Sequence, residues 1–425
     1  MTYAIVADPL TGGTKSQREL LMPKTCSTIL GRKNWPLQPL RGIVASPVIR
    51  PDGSLLQAPG YDKATGLYLH PRVPLRRLQQ DVTADAVQRA KKIVLGQMLA
   101  DFPFVDQSDR AQYLGALLSI IVRHYIPGPT PLLILTATSQ SSGKSLLKSI
   151  FDYLYGLSDM PWPENDAELR KAITAKIWDS GDPVIAIDNL PNGHVIKTPI
   201  LSQLLTAPIW SDRLLGSTKS VAVPNDRLWV VTGNNLRTGG DNARRALWVR
   251  LDPNCPNPDQ RDGFTVGDLE PWLEENASTV VAALVTMVRG WIADGAKTVN
   301  IRMGGYSRWA SVIAGILAYL EVPGWLADRE TAVDLDEEAQ EWEAFLSGWF
   351  ETIPDRAVTA GELLGLKEYV PRLITGDLPS AKQLGHWLKA RAGRYFGDLR
   401  IVLIVDRNKK QNTWRIERHK SGGAR

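Results

Sequence analysis

The most constraining stretch of the chain is Leu132-Leu133-Ile134-Leu135-Thr136, followed by the small-residue run Ala137–Gly143 and then Lys144-Ser145 at the head of a helical pattern. An apolar run without polar alternation reads as a strand buried on both faces. A strand that ends in a loop of small residues and opens a helix aims backbone N–H groups and a helix N-terminus at one point, which is a phosphate-binding geometry. In that geometry Thr138, Ser139, Gln140, Ser141, Ser142 and Gly143 form the cradle. Lys144 reaches the β- and γ-phosphates, and the Ser145 hydroxyl holds Mg²⁺. Thr138 stands where such a loop usually begins with glycine.

Strands and helices alternate from here on. Helices are expected at Lys144–Leu157, Ala167–Lys176 and Ile196–Thr206, and a second buried strand at Pro183–Ile187. Val221–Val223 and Leu228–Thr232 read as a hairpin joined by Pro224-Asn225-Asp226. This pattern predicts an α/β fold with a parallel sheet. The second strand runs into Asp188, an acid placed to hold the metal, and then Asn189. The run Leu228–Thr232 ends in Gly233-Asn234-Asn235, where Asn235 could orient water at the γ-phosphate. Gly240-Asp241-Asn242-Ala243-Arg244-Arg245 follows, and its paired arginines sit where an arginine finger toward a neighbouring subunit's nucleotide would be.

The flanks differ from this core. Residues 1–80 are rich in Pro and Gly, with short β-like runs between Gly42 and Leu69 and a net charge of +7. Helices are expected over 82–102, 109–125, 277–293, 306–321 and 337–351. The segment 321–351 is strongly acidic, net −9, and 355–425 is basic, net +8. The predicted organisation is a small β-rich N-terminal region (1–80), a helical collar (81–130), an ATPase core (131–260), a helical lid with an acidic linker (261–354) and a C-terminal domain (355–425). With 44% hydrophobic and 22% charged residues the chain has the composition of a folded soluble protein. Its longest apolar runs, Leu114–Val122 and Val280–Val288, fall well short of the ~20 residues a membrane span needs, and no secretory signal is visible. The two cysteines, Cys26 and Cys255, form neither a disulfide framework nor a zinc site, so a cytoplasmic location is expected. Most of the 14 tryptophans, among them Trp229, Trp248, Trp291 and Trp309, lie in apolar runs and read as core.

Several segments taken together resemble the AAA+ helicase module of phage, plasmid and genomic-island replication proteins. That family is akin to superfamily-three and MCM-like helicases and often follows a primase domain. The segments are Pro51-Asp52-Gly53-Ser54-Leu55 with Gly60–Tyr68, the phosphate loop, Glu168-Leu169-Arg170-Lys171, Ile187-Asp188-Asn189, Asp212–Gly216, Thr232–Asn235, Gly240–Arg245, and Tyr306–Trp309 with Gly315-Ile316-Leu317. The resemblance covers roughly residues 40–420. It implies an AAA+ P-loop core and an ATP- and Mg²⁺-dependent DNA helicase of a mobile element. The motor would work as a homo-oligomeric ring, a hexamer, on single-stranded and forked DNA, with priming and polymerisation left to separate proteins. Lys144, Asp188, Asn189, Asn235, Arg244 and Arg245 would carry the catalysis, and Arg308 would make a lid contact to the same nucleotide. Where Asn189 stands, an acid often activates water. Either Asn189 only positions water, or Glu164 or Glu168 supplies the base.

The residues also suggest where DNA would bind. Asp212–Asp226 reads as a hairpin carrying Arg213 and Lys219, and in the resembling helicases a hairpin here projects into the ring channel. From residue 355 the pattern suits a winged helix: a helix around Glu362–Leu366, a second over Ser380–Ala392 capped by Ser380, then strands Ile401–Asp406 and Thr413–Glu417. Lys382, Lys389, Arg391 and Arg394 lie on or just after the second helix, and Arg407, Lys409 and Lys410 at the wing tip. A competing reading is a replication initiator or helicase loader that binds origin DNA and uses ATP as an assembly switch.

Overall fold

Side chains that alternate along buried strands must find apolar partners on both faces, and the computed structural model meets that demand with a core on each face of its central sheet. It describes residues 2–7, 13–19, 22–32, 37–75, 78, 81–214, 220–255, 258–327, 337–354, 356–372, 377–393, 395–396, 399–406 and 411–418. The central sheet has five strands, all parallel: β8 (Leu132–Ala137), β9 (Leu157–Met160), β10 (Val184–Leu190), β14 (Leu228–Asn234) and β16 (Ala246–Leu251), in the order β16-β8-β14-β10-β9. Leu133, Leu135, Val184, Ala186, Val230, Leu247 and Val249 face α3 (Gln107–Ile121), α4 (Lys144–Tyr155) and α7 (Leu269–Ala293). Their neighbours Leu132, Ile134, Ile185, Ile187, Trp229, Val231 and Trp248 face α5 (Asp166–Asp179) and α6 (Pro199–Thr206). The mixed α/β class expected from the sequence is therefore present, with helices on both faces of a parallel sheet.

Two of the five strands are unmarked in the sequence. Gly156, at φ 93°, ends α4 two residues before the expected boundary and lets the chain turn straight into the short edge strand β9. At the other edge β16 carries Arg250, which hides its strand character. No sixth strand covers that edge among the described residues; a short backbone bridge from Phe104 to Leu251 and side chains from α3 seal it. The Trp248 N–H donates to Gln112 Oε1 (3.0 Å) and the Arg250 N–H to Asp109 Oδ1 (2.8 Å), both from α3. Asp109 is fully buried and also takes the Arg250 guanidinium, from Nε at 2.9 Å and Nη2 at 3.2 Å. Burial raises its carboxyl above the usual range despite Arg250.

A hairpin is present, but not the one expected across Pro224-Asn225-Asp226. β12 (Ile209–Arg213) pairs antiparallel with β13 (Ser220–Pro224), whereas β14 belongs to the central sheet. Asn225 explains the difference. It is buried, donates to the carbonyls of Leu204 (2.6 Å) and Ala207 (3.0 Å), and accepts from Trp229 Nε1 (3.2 Å), so it acts as a connector tied to the end of α6 and not as a turn tip. Two resembling segments meet beside it, where Arg170 Nε and Thr174 Oγ1 donate to Asp212 at 2.9 and 2.8 Å.

The amino-terminal region contains a hairpin, β1 (Thr2–Ala7) with β2 (Thr14–Glu19), and a helix, α1 (Pro23–Leu30), neither of which the sequence marks. The short strands follow: β3 (Gly42–Val44), β4 (Val48–Ile49), β5 (Leu55–Leu56), β6 (Gly60–Asp62) and β7 (Leu67–Leu69), around Val48, Leu56, Leu67 and Leu69. Arg50 grips Asp62 through Nε (3.1 Å) and Nη2 (2.9 Å), and Thr65 also donates to it. Together they hold that carboxyl down at about 2. The expected helix over 82–102 is α2 (Ala84–Ile93) closed by a π-helical turn at Val94–Met98. α7, at 25 residues, is long and apolar enough to span a membrane, which the short apolar runs do not suggest. Its apolar window is mostly buried and it packs against α2, α3, α4 and α8 (Ser307–Tyr319), which is the behaviour of a core helix.

The C-terminal part has its own core. The helix α9 (Glu337–Thr352), assigned from sequence to the acidic linker, contributes Trp342, Phe345, Leu346 and Trp349 to it. α10 (Ala360–Leu363), α11 (Ala381–Arg391) and a three-stranded antiparallel sheet of β17 (Tyr395–Phe396), β18 (Leu399–Asp406) and β19 (Gln411–Arg418) complete it. Ser380 caps α11 as expected, exchanging hydrogen bonds with Gln383.

Two stability predictions follow from these charges. Asp109→Ala takes from the Arg250 guanidinium its buried partner, leaving it the more exposed Asp106 at 3.1 Å, and removes the acceptor of an edge N–H; it should cost about 3–5 kcal/mol, the usual penalty for breaking a buried pair, read as a shifted denaturant midpoint. Asp62 has a folded pKa of about 2 against an ordinary value of 3.8. The stability it confers is thus present above pH ~4 and lost as pH falls toward 2. Asp62→Asn should flatten the acid limb of the stability–pH curve, measured by thermal melts between pH 2 and 5.

Candidate functional site

The carboxyl ends of parallel strands are where ligands bind in open α/β sheets, and the predicted residues collect at that edge. β8 delivers Ala137 into the loop 138–143. Gly143 caps α4 at φ 95° and Ser141 lies at φ 57°, so the backbone reverses within three residues. The loop braces itself: Ser142 Oγ donates to the Ser139 carbonyl (2.7 Å), and Lys144 Nζ folds back to the same carbonyl at 3.3 Å. Burial lowers the Lys144 ammonium below its ordinary range, which favours a charged partner at its tip. Thr138, in the place of the usual glycine, is exposed and donates to Asp252 Oδ1 (3.3 Å) just past β16, tying the loop to its neighbouring strand. Gln140 and Ser145 are exposed.

Beside the loop, Asp188 sits near the end of β10, in the irregular stretch between Ile187 and Leu190. Lys148 Nζ sits 2.5 Å from Asp188 Oδ2, and the Thr232 hydroxyl of β14 donates to Oδ1. Burial would raise the Asp188 carboxyl, but Lys148 and Thr232 outweigh it and hold it low. It is ionised at neutral pH. Asn189 is exposed at φ 57°, and its N–H donates to Thr232 Oγ1 (2.9 Å), which fixes the strand end while its side chain faces outward. Asn235, one residue beyond β14, donates from its N–H to the Ala137 carbonyl (3.0 Å) and from Nδ2 to Asn192 Oδ1 (2.8 Å). Lys144, Ser145, Asp188, Asn189 and Asn235 thus share one edge. Of the two candidate bases, Glu164 follows β9 and Glu168 lies in the first turn of α5, paired with Lys171 (2.7 Å).

Arg244 and Arg245 do not share it. Their 3₁₀ turn leads directly into β16, whose first residue, Ala246, pairs with Leu132 at the start of β8, while Leu251 pairs with Ala137 at its end. Five residues of strand put the arginine turn roughly 17 Å along the sheet from the phosphate loop. Asn242 anchors the turn, accepting from Ser202 Oγ (2.7 Å), and Arg245 donates to the Ser202 carbonyl (2.8 Å). Arg244 is exposed. Arg308, also exposed, sits on the first turn of α8. The neighbouring Tyr306 hydroxyl donates to the Leu205 carbonyl (2.7 Å) and lies within electrostatic reach of Arg245, so this end of α8 groups with the arginine turn.

Sequence reasoning missed three features here. Lys148 lies one turn after Lys144, a spacing that the helical period could have flagged. Its second partner, Asp159 on β9, carries no sequence signal. The third is a cavity of about 630 Å³ against the loop, lined by Met98, Phe102, Gly143, Leu146, Arg261 and Phe264. Arg261 lies 5.4 Å from the Phe264 ring centre and donates to the Asp101 carbonyl at 2.9 Å.

Among the described residues no cluster of three His, Cys, Asp or Glu side chains could hold a metal alone. A magnesium nucleotide would draw most of its ligands from phosphate and water and need one or two protein groups, for which Ser145 and Asp188 are the candidates. Arg213 is exposed at the loop end of the β12–β13 hairpin, where it pairs with Ser220, and Lys382 and Lys389 are exposed on α11. Lys219, Arg394, Arg407, Lys409 and Lys410 lie outside the described residues. Compared with protein-family models and with curated proteins, the chain matches none.

Gly143 tests the loop geometry. A Cβ there would lie 3.3 Å from the Phe102 ring at a φ that side chains rarely adopt. Gly143→Ala should cost roughly 1–2 kcal/mol from the backbone alone, seen in the unfolding midpoint, and should weaken nucleotide binding.

Proposed function

We propose that the protein is an AAA+ ATPase that hydrolyses ATP at subunit interfaces of a ring and uses the energy to translocate on and unwind DNA. The observation that carries this reading is the opposition of the two edges. The phosphate loop, Asp188 and Asn235 lie at the carboxyl edge, while the arginine turn lies roughly 17 Å away at the amino edge. One chain cannot bring its own arginines to its own nucleotide, but a neighbour in a ring can.

In this reading the loop N–H groups and the α4 N-terminus bind the phosphates, Lys144 neutralises the β- and γ-oxygens, and the adenine enters the Phe102–Phe264 cavity. Bound Mg²⁺ supplies charge neutralisation of the phosphates, with Ser145 and Asp188 as its protein partners. Asn235 orients the attacking water, and Arg244 of the next subunit stabilises charge on the transferred phosphoryl group. Arg245, already holding Ser202, supports the turn. Phosphoryl transfer relies mostly on such positioning and electrostatics. The C-terminal unit, with its helices and three-stranded antiparallel sheet, would serve as a winged helix. Its exposed Lys382 and Lys389 would grip duplex phosphates, and Arg213 and Lys219 a single strand in the channel.

One feature favours the loader reading. Asn189 cannot accept a proton, so turnover could be slow enough for ATP to serve as a switch. Single-stranded DNA separates the two readings: a helicase shows DNA-stimulated turnover and unwinds a fork, and a loader does neither.

Lys144→Ala and Asp188→Ala should abolish turnover in folded protein. Mixing Lys144→Ala with Arg244→Ala subunits should restore part of the activity, because some mixed interfaces are intact. No recovery from two assembling mutants would exclude a finger in trans. Lys382→Ala with Lys389→Ala should lessen the slope of log affinity against log salt on duplex DNA by about two, since each phosphate contact contributes roughly 0.9.

A further inference from the structure

The Lys148 ammonium has three N–H donors and three acceptors around it: Asp188 Oδ2 at 2.5 Å, and Asp159 Oδ1 and Oδ2 both at 3.0 Å. Lys148 is largely buried, whereas Asp159 is half exposed on the edge strand. Lys148 follows Lys144 by four residues and Ser145 by three, so all three project from one side of α4. With Thr232 on Oδ1, both oxygens of Asp188 are occupied by donors of this chain. A divalent cation approaching Asp188 therefore meets a carboxylate already neutralised. The cation can reach it only if the lysine gives way, and Asp159 offers the lysine two oxygens without any movement of α4.

We propose that Lys148 is a resident counter-ion of Asp188 that the nucleotide's divalent cation must displace, and that Asp159 receives the displaced ammonium. This rests on the reading of Asp188 as the metal-holding acid. The pair sets a threshold: cation binding at Asp188 is coupled to transfer of Lys148, so that each carboxylate keeps a cationic partner in both states. Lys148 and Asp159 are positioning residues, acting through Asp188 and not on the phosphates.

The test measures Mn²⁺ binding by electron paramagnetic resonance, in the presence of a non-hydrolysable ATP analogue, on the full chain. Lys148→Met should tighten Mn²⁺ about tenfold or more, since an opposite charge at this range shifts a carboxylate's affinity for a cation by at least that factor. Lys148→Gln keeps a hydrogen bond to Asp188 without the charge and carries the same expectation where the Met variant fails to fold. Asp159→Asn should loosen Mn²⁺ severalfold, and much less so when Lys148 is already Gln. A lysine that only ties α4 to the sheet would leave Mn²⁺ affinity unchanged or weaker in both Lys148 variants, and that result overturns the proposal. An equal effect of Asp159→Asn in both backgrounds removes Asp159 as receiver. If instead Asp188→Ala binds Mn²⁺ as tightly as the unaltered protein, Asp188 does not hold the metal, and the underlying reading falls together with this one.

Discussion

β8 is the strand on which the molecule depends. It is buried on both faces and hydrogen-bonded on both sides, to β14 and to β16. Its carboxyl end leads into the loop 138–143, and its amino end lies beside the turn that carries Arg244. A parallel sheet has no alternative to this polarity, because every crossover must return the chain to the same edge before the next strand begins. Loops after the strands therefore gather the acid and the amides, and loops before them gather the arginine turn at the opposite edge.

How legible this was follows from the kind of signal each element carries. β8, β10 and β14 are uninterrupted apolar runs, and they stand where the sequence places them. So do the loop 138–143 and Asp188, because a small-residue loop between a strand and a helix leaves little freedom. β9 and β16 were hidden for opposite reasons. Leu157-Ser158-Asp159-Met160 is too short and polar to read as a strand, and it forms because Gly156 turns the chain onto the exposed edge of β10. β16 contains an arginine that is tolerable only because Asp109, more than 140 residues earlier, waits for it across the edge. The misplaced hairpin has the same origin. Pro224-Asn225-Asp226 has turn chemistry, but the Asn225 side chain satisfies the carbonyls at the end of α6, a tertiary demand that local propensity does not register.

The same contrast holds inside the site. Asp188 was visible as the acid ending a strand, but its environment was not. Whether such a carboxylate is open to a cation depends on Lys148 from the helix and Thr232 from the adjacent strand, and those meet it only once β14 has been inserted between β8 and β10. The strand order thus sets the electrostatics of the site as well as its position.

Burial of charge recurs in three places and is handled differently in each. At Asp109 the carboxylate is sunk completely and satisfied by one arginine and two backbone groups, so it locks an edge that never needs to open. At Asp62 the partner is again an arginine, gripping both carboxylate oxygens, and the result is a stiff turn. At Asp188 the partner is a lysine, a point charge on a flexible stem that has a second pair of oxygens within reach. Arginine's fixed fork suits joints that must hold, whereas an ammonium that can rotate between two carboxylates suits one that exchanges partners, as we propose for Lys148. That difference in side-chain chemistry is what separates the site from the scaffold around it.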